Sequence, residues 1–477
     1  MVFSSLTFLL VFLPLTVLAY YLLVPHKEGK YAVGILFLAS LVYYAYWKPE
    51  NVWILLASIF ANYMFGYWIF YAERHKKAVF AVCVSCNVAA LAYFKYTNFA
   101  IDTLNSVLAS QIELTAIVLP IGISFFTFQK IAYLSDIYTG KHNPTRRSFV
   151  SFGLFGSFFP QLVAGPIVHH QEMMPQFEDV NNRRVDWENI FTGLILLSIG
   201  LSKKVLIADN LAPIVHQTFD TTTTLGVLDA CLGTLAFSLQ IYFDFSGYSD
   251  MAMGCGLLFN IKLPQNFLSP YKACDIQEFW RCWHITLARW MRNYLYIPFG
   301  GNRHGHARTL LHIFLTFLIG GLWHGAAWTF ILWGAMHGAA LIVYRIWNMH
   351  LQLRMPKLLG WLCTFVFYNF TVMIARVPDF TGLSRFLEAL SGRNGLGFQE
   401  QFRDRVLEAM QFKLGFTGTL LFVGLALGIT LFGVHSFTIA TSRRYVALSI
   451  IYSALFAISC MYLFLHTDVN EFLYFQF

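Results

Sequence analysis

Apolar stretches long enough to cross a lipid bilayer recur along the whole of this sequence, at residues 6–23, 52–71, 78–94, 191–208, 417–432 and 445–465 among others. A helix needs about 20 mostly apolar residues to cross the hydrocarbon core, and the pattern predicts an all-α polytopic membrane protein with about a dozen spans. The composition leaves little alternative. With 57% apolar and 12% charged residues over 477 positions, and a mean hydropathy of +0.56, the chain carries more apolar surface than one soluble core can bury. The opening Met1-Val2-Phe3-Ser4-Ser5 has no basic stretch of the kind that starts a cleavable signal, so the first span is expected to stay. Eight cysteines are scattered, mostly in apolar runs. Cys83 and Cys86 have no second pair to complete a zinc site, so the thiols read as reduced and packed.

The placement of charge predicts orientation, because short cytoplasmic loops accumulate Lys and Arg. Along the first spans the loops alternate between basic sets (Lys27 and Lys30; Arg74, Lys76 and Lys77; Lys141, Arg146 and Arg147) and balanced or acidic ones (Lys48 with Glu50; Lys95 with Asp102 and Glu113). This alternation puts the N-terminus outside. Arg443 and Arg444 precede the last span and read as inner, so the tail after Asp468 emerges outside as well.

The character of the chain changes after Leu119. Residues 1–115 read as a scaffold of short-looped spans, whereas Pro120-Ile-Gly122, Phe159-Pro160-Gln161 and Ala164-Gly165-Pro166 interrupt later apolar runs. Such breaks are tolerated at membrane depth only where the backbone is buried in protein or lines a cavity. Residues 116–378 are therefore expected to form a core of re-entrant and interfacial helices around a cavity. Residues 379–412 read as an extracytoplasmic insert, and 413–477 as the closing spans with an aromatic tail.

Polar residues within membrane depth are costly and are functional candidates by default. Tyr242-Phe-Asp244-Phe-Ser246-Gly-Tyr248-Ser249-Asp250 reads either as a helix break whose polar groups satisfy one another or as a lining of the site. The run 277–296 puts Trp280, Trp283, Leu287, Trp290, Met291 and Tyr294 on one helical face, as suits an interfacial helix. Its arginines Arg281, Arg289 and Arg292 fit anionic membrane lipids or a phosphate-bearing donor such as a coenzyme A thioester. In Gly321-Leu-Trp323-His324-Gly325, a buried imidazole held neutral is able to take a proton from a hydroxyl. On the residues alone, an interhelical hydrogen-bonding role is the commoner reading for a histidine such as His324, and His337 shares the ambiguity with less to support a chemical role. His304 and His306 without further ligands make no metal site. No Gly-Lys-Ser/Thr phosphate loop or nucleic-acid-binding motif is present.

Four ordered motifs carry a resemblance: Phe243-Asp244-Phe-Ser246-Gly-Tyr-Ser-Asp250, Phe279-Trp-Arg281-Cys-Trp-His284-Ile, Tyr294-Leu-Tyr-Ile-Pro-Phe-Gly-Gly-Asn302-Arg303, and Gly321-Leu-Trp323-His324-Gly. Together they resemble the membrane-bound O-acyltransferases (MBOAT), in the branch of the alginate O-acetylation membrane protein and the peptidoglycan O-acetyltransferase membrane subunit. The resemblance implies a ring of helices around a thinned centre, with a tunnel joining a cytoplasmic donor funnel to an outer acceptor funnel. It makes His324 the essential histidine and His284 the second one, with Asp244, Ser246, Asp250 and Trp323 as candidate tunnel-lining residues. It also implies a bacterial inner-membrane enzyme that binds no cofactor and takes acetyl from a cytosolic donor, acetyl-CoA. The acetyl would pass to a periplasmic or membrane-anchored SGNH/GDSL-like O-acetyltransferase, which modifies a polysaccharide, with peptidoglycan slightly preferred to alginate.

The last seven residues, Glu471-Phe-Leu-Tyr474-Phe-Gln-Phe477, hold four aromatics where chain ends usually fray. In the related D-alanylation of teichoic acids, a small separate peptide ending in a similar motif is thought to accept the acyl group on its tyrosine. By that resemblance Tyr474 is a candidate covalent carrier; as a simpler reading, the tail only anchors the chain in the outer leaflet. A transporter or flippase of donor or glycan is the alternative function for so many spans, and a platform that only docks a transferase is a third. The missing internal repeat and ATP site count against transport.

Overall fold

The computed structural model describes residues 1–22, 30–146, 148–221, 224–351, 355–411, 415–442, 445–466 and 472–473. Among them the secondary structure is helical, with no strand. Among the described residues seven helices are long and apolar enough to cross a membrane, and Phe8–Leu22, Tyr31–Ala45 and Ser449–Leu465 are shorter apolar helices. These ten compare with the dozen read from hydropathy, because apolar runs near Pro160 and Gly165 are divided into short buried helices rather than spans. The most apolar window of Lys76–Leu108 is only 17% buried, whereas that of Val227–Leu257 is 67% buried. The first presents its side chains outward, and the second is packed in protein.

The chain forms two compact units. The first comprises residues 1–198, 248–265 and 444–453. In it, Asn62 and Asn87 exchange reciprocal side-chain hydrogen bonds of 2.9 Å, joining Asn51–Tyr71 to Lys76–Leu108. The interrupted segments satisfy their backbone locally. Gly122 takes a positive φ of 74° to start the helix Ile123–Tyr138, the Tyr44 hydroxyl donates to the Ile121 carbonyl at 2.8 Å, and the Phe159 N–H donates to Ser40 Oγ at 3.1 Å. This is how a proline-broken stretch survives without water.

The second unit comprises residues 199–247, 266–443 and 454–477. Its central feature is the hairpin of His306–His324 and Trp328–Ile346. The two helices cross where glycines face each other: a Cβ on Gly321 would lie 2.9 Å from the Gly334 Cα, and one on Gly334 would lie 2.4 Å from the Phe317 carbonyl oxygen. Small residues permit this approach in membranes, where packing rather than water drives association.

Two readings of the sequence are corrected here. Residues 242–250 contain no helix break; they lie within the continuous helix Val227–Leu257. Residues 277–296 form no single interfacial helix, but Ile276–Cys282, Ile285–Met291 and a wider turn at Arg292–Tyr296. The division falls at His284, whose φ of 44° is left-handed. A helical plot cannot reveal it, since the apolar spacing continues across the break.

Gly334→Val forces a side chain against fixed backbone and is expected to destabilise the chain by about 1–3 kcal/mol, the usual range for overpacking. The thermal unfolding midpoint of the chain in lipid nanodiscs reads this effect. An unchanged midpoint would contradict the close crossing.

Candidate active site

The break before His284 is built by the segment facing it. Asn266, fully buried, accepts the Ile285 N–H on its carbonyl at 3.0 Å and the Thr286 hydroxyl on Oδ1 at 2.9 Å. The Leu268 N–H donates to the Cys282 carbonyl at 2.9 Å. His284 then caps the next helix, its Nδ1 accepting the Leu287 N–H at 3.3 Å. An imidazole that accepts at Nδ1 carries its neutral-state proton on Nε2. The ring is 1% exposed, and with Nδ1 accepting from the backbone it is the Nε2 proton of His284 that is left to donate.

His324 ends the helix His306–His324. Its ring centroid lies 4.9 Å from Trp323, 5.0 Å from Trp333 and 6.4 Å from His284. The two histidines line one cavity of about 50 Å³, walled by Phe237, Ile241, Trp283, Phe330, Trp333 and Tyr368. That space admits a group of a few heavy atoms and no long chain. Gly325 shapes its rim, since a Cβ there would lie 2.1 Å from the Phe330 ring.

A second cavity of about 510 Å³ opens beside it, lined by Arg281, Arg292 and Arg345 over apolar walls that include Trp280, Met291 and Phe317. Trp280 and Trp333, walls of the larger and the smaller cavity respectively, pack at 5.9 Å. Trp280 is fixed by its partner: the indole N–H donates to His337 Nδ1 at 3.2 Å, and His337 Nε2 meets Thr371 Oγ1 at 3.0 Å. An indole only donates, so His337 must accept at Nδ1 and carry its proton on Nε2. His337 therefore holds the shared wall and is used up as a hydrogen-bonding residue.

Asp244 is buried elsewhere in this unit. Lys204 faces it at 2.9 Å and Asp209 at 2.8 Å, one ammonium between two carboxylates. Gly247 allows the approach, as a Cβ there would lie 2.7 Å from the Gly200 carbonyl oxygen. Phe245, the next residue, packs 4.7 Å from the His284 ring and 5.7 Å from Phe472. The Leu473 N–H donates to Asp244 Oδ2 at 2.8 Å.

Of the residues singled out from the sequence, His324 and His284 share one cavity, Trp323 packs on His324, and Arg281 and Arg292 share the other cavity. Arg289 does not line that cavity. Ser246 is buried on the helix of Asp244, and Asp250 is buried in the first unit. Tyr474 lies outside the described residues. Arg345, Asn266 and Lys204 escaped the sequence reading, and of these only Lys204 carried a signal, as a charge within an apolar run; Trp280 and His337 were each noticed, but not as partners.

Residues 41–378 match the family described as MBOAT, membrane-bound O-acyltransferase family. The chain is 43% identical over 425 residues to a peptidoglycan O-acetyltransferase of Helicobacter pylori, covering 83% of this chain and 81% of that protein. It is 41% identical over 376 residues to a probable alginate O-acetylase of Azotobacter vinelandii, covering 77% and 73%. A teichoic acid D-alanyltransferase of Bacillus subtilis is 26% identical over 241 residues, covering 48% and 60%.

Gly325→Ala should push Phe330 into the small cavity and lower acyl transfer at least tenfold, while the folded yield by size-exclusion chromatography stays unchanged. Equal transfer by the variant would show that this cavity is not the site of reaction.

Proposed function

Because this chain belongs to the membrane-bound O-acyltransferase family and is an acyltransferase of the membrane, we propose that it takes acetyl from acetyl-CoA and hands it across the membrane for O-acetylation of a polysaccharide. The observation that carries this reading is the common wall between the arginine cavity and the histidine cavity. Guanidinium groups pair with phosphate, so Arg281, Arg292 and Arg345 hold the diphosphate and phosphate of the donor. The pantetheine arm runs over apolar surface, and the thioester enters beside Trp333. The small size of the inner cavity fits acetyl rather than a fatty acyl group.

His324 acts as the general base. It takes the proton of the attacking phenol of Tyr474 as the phenolic oxygen bonds to the thioester carbonyl carbon. The Nε2 proton of His284 is donated toward the charge that develops on the carbonyl oxygen. The C–S bond then breaks, and the thiolate leaves with the proton held by His324. The phenyl ester that remains is an activated donor, because its leaving phenol has a pKa of about 10. A serine hydroxyl of an SGNH/GDSL-like partner attacks it next; the acetyl moves to that serine and the phenol is restored. Leu473 is bonded at Asp244 and Phe472 packs on Phe245, which supports a role in the reaction for the tail to which Tyr474 belongs.

The loop charges support an inner-membrane protein with both termini in the periplasm, the arginine cavity facing the cytoplasm and residues 379–412 on the outer side. Relatives named for peptidoglycan and for alginate support a polysaccharide acceptor, and the higher identity to the former favours peptidoglycan.

In nanodiscs with acetyl-CoA and partner, His324→Ala should lower thiol release by about 10²–10⁴, the usual share of general base catalysis. Arg345→Ala should raise the KM for acetyl-CoA with kcat little changed. Thiol release undiminished in His324→Ala, or substrate movement without any release, would favour a transporter.

A further inference from the structure

Asp244 is 1% exposed and lies within the candidate span Val227–Leu257. Its two oxygens have different partners: Oδ1 faces Lys204 at 2.9 Å, and Oδ2 accepts the Leu473 N–H at 2.8 Å. Lys204 also serves Asp209, so a single cation offsets two carboxylates. A buried carboxylate oxygen without a donor is costly. Among the described residues, the donor to Oδ2 is the tail backbone. One residue earlier, Phe472 is 4% exposed and packs on Phe245, the neighbour of Asp244 and a contact of His284. Adjacent residues on one helix thus hold adjacent residues of the tail, one through a charge-assisted hydrogen bond and one through ring packing.

We propose that Asp244, set by Lys204, is the docking residue of the C-terminal tail and holds Phe472 and Leu473 beside Phe245, the residue that packs on His284. It is a positioning residue: it touches the tail backbone and not the reacting atoms. This inference rests on the relay reading of Tyr474 for its purpose, but the docking itself is independent of that chemistry. Since recognition runs through a main-chain N–H, it is lost when that N–H is removed and not when the side chain alone changes.

The test uses the full chain in lipid nanodiscs. Hydrogen exchange read on C-terminal peptides should show a protected Leu473 amide in the wild type and at least tenfold faster exchange in Asp244→Ala, with exchange along Val227–Leu257 unchanged. Leu473→Pro, which leaves the Asp244–Lys204 pair in place and removes the donor, should lower acetyl loading of Tyr474 at least tenfold on incubation with acetyl-CoA. Slow exchange at Leu473 in Asp244→Ala, or full loading in Leu473→Pro, overturns the proposal. A wild type that protects Leu473 through Asp244 yet never loads Tyr474 upholds the docking and refutes the relay.

Discussion

Hydrocarbon provides no hydrogen bonds, so a backbone opened at membrane depth has to be answered by another part of the chain. The break at His284 illustrates this constraint. Opening a helix there releases backbone groups that lipid would leave unmet, and Asn266 answers them from the facing segment. The same break turns His284 onto the cavity shared with His324. Removing the clamp would cost the fold and the site together, since one set of hydrogen bonds serves both.

Charge follows the same logic. Lys204 between Asp209 and Asp244 leaves one carboxylate oxygen to be satisfied, and the tail supplies the donor. The aromatic walls divide the labour differently. Trp280 is locked by His337 and Thr371 and gives the arginine cavity a rigid boundary against Trp333. The arginine cavity and the histidine cavity are thereby kept apart by the thickness of two rings, which on the proposed function would suit a thioester whose polar head and reacting carbon require opposite environments.

The membrane class and the family were legible in the sequence, and the resemblance singled out His324 and His284, which the fold brings to one cavity. They were legible because hydropathy and motif identity are local properties. The break at His284 was not, since its left-handed backbone leaves the apolar spacing of Trp280, Trp283, Leu287 and Trp290 undisturbed. Arg345 and Asn266 were also invisible: one lies near the end of an ordinary apolar helix, the other in an unremarked loop, and only tertiary packing brings them to the site. Asp244 was noticed as a buried carboxylate, but its partners come from residues 204 and 473, and no local pattern joins them.

The central claim is that acetyl rests on Tyr474 between donor and acceptor. Peptide mass spectrometry of the purified full chain after incubation with acetyl-CoA tests it directly. The account predicts an acetyl adduct on Tyr474 in the wild type and none in Tyr474→Phe or His324→Ala. Turnover of acetyl-CoA without an adduct, and equal in Tyr474→Phe, would contradict it and leave the tail as an anchor.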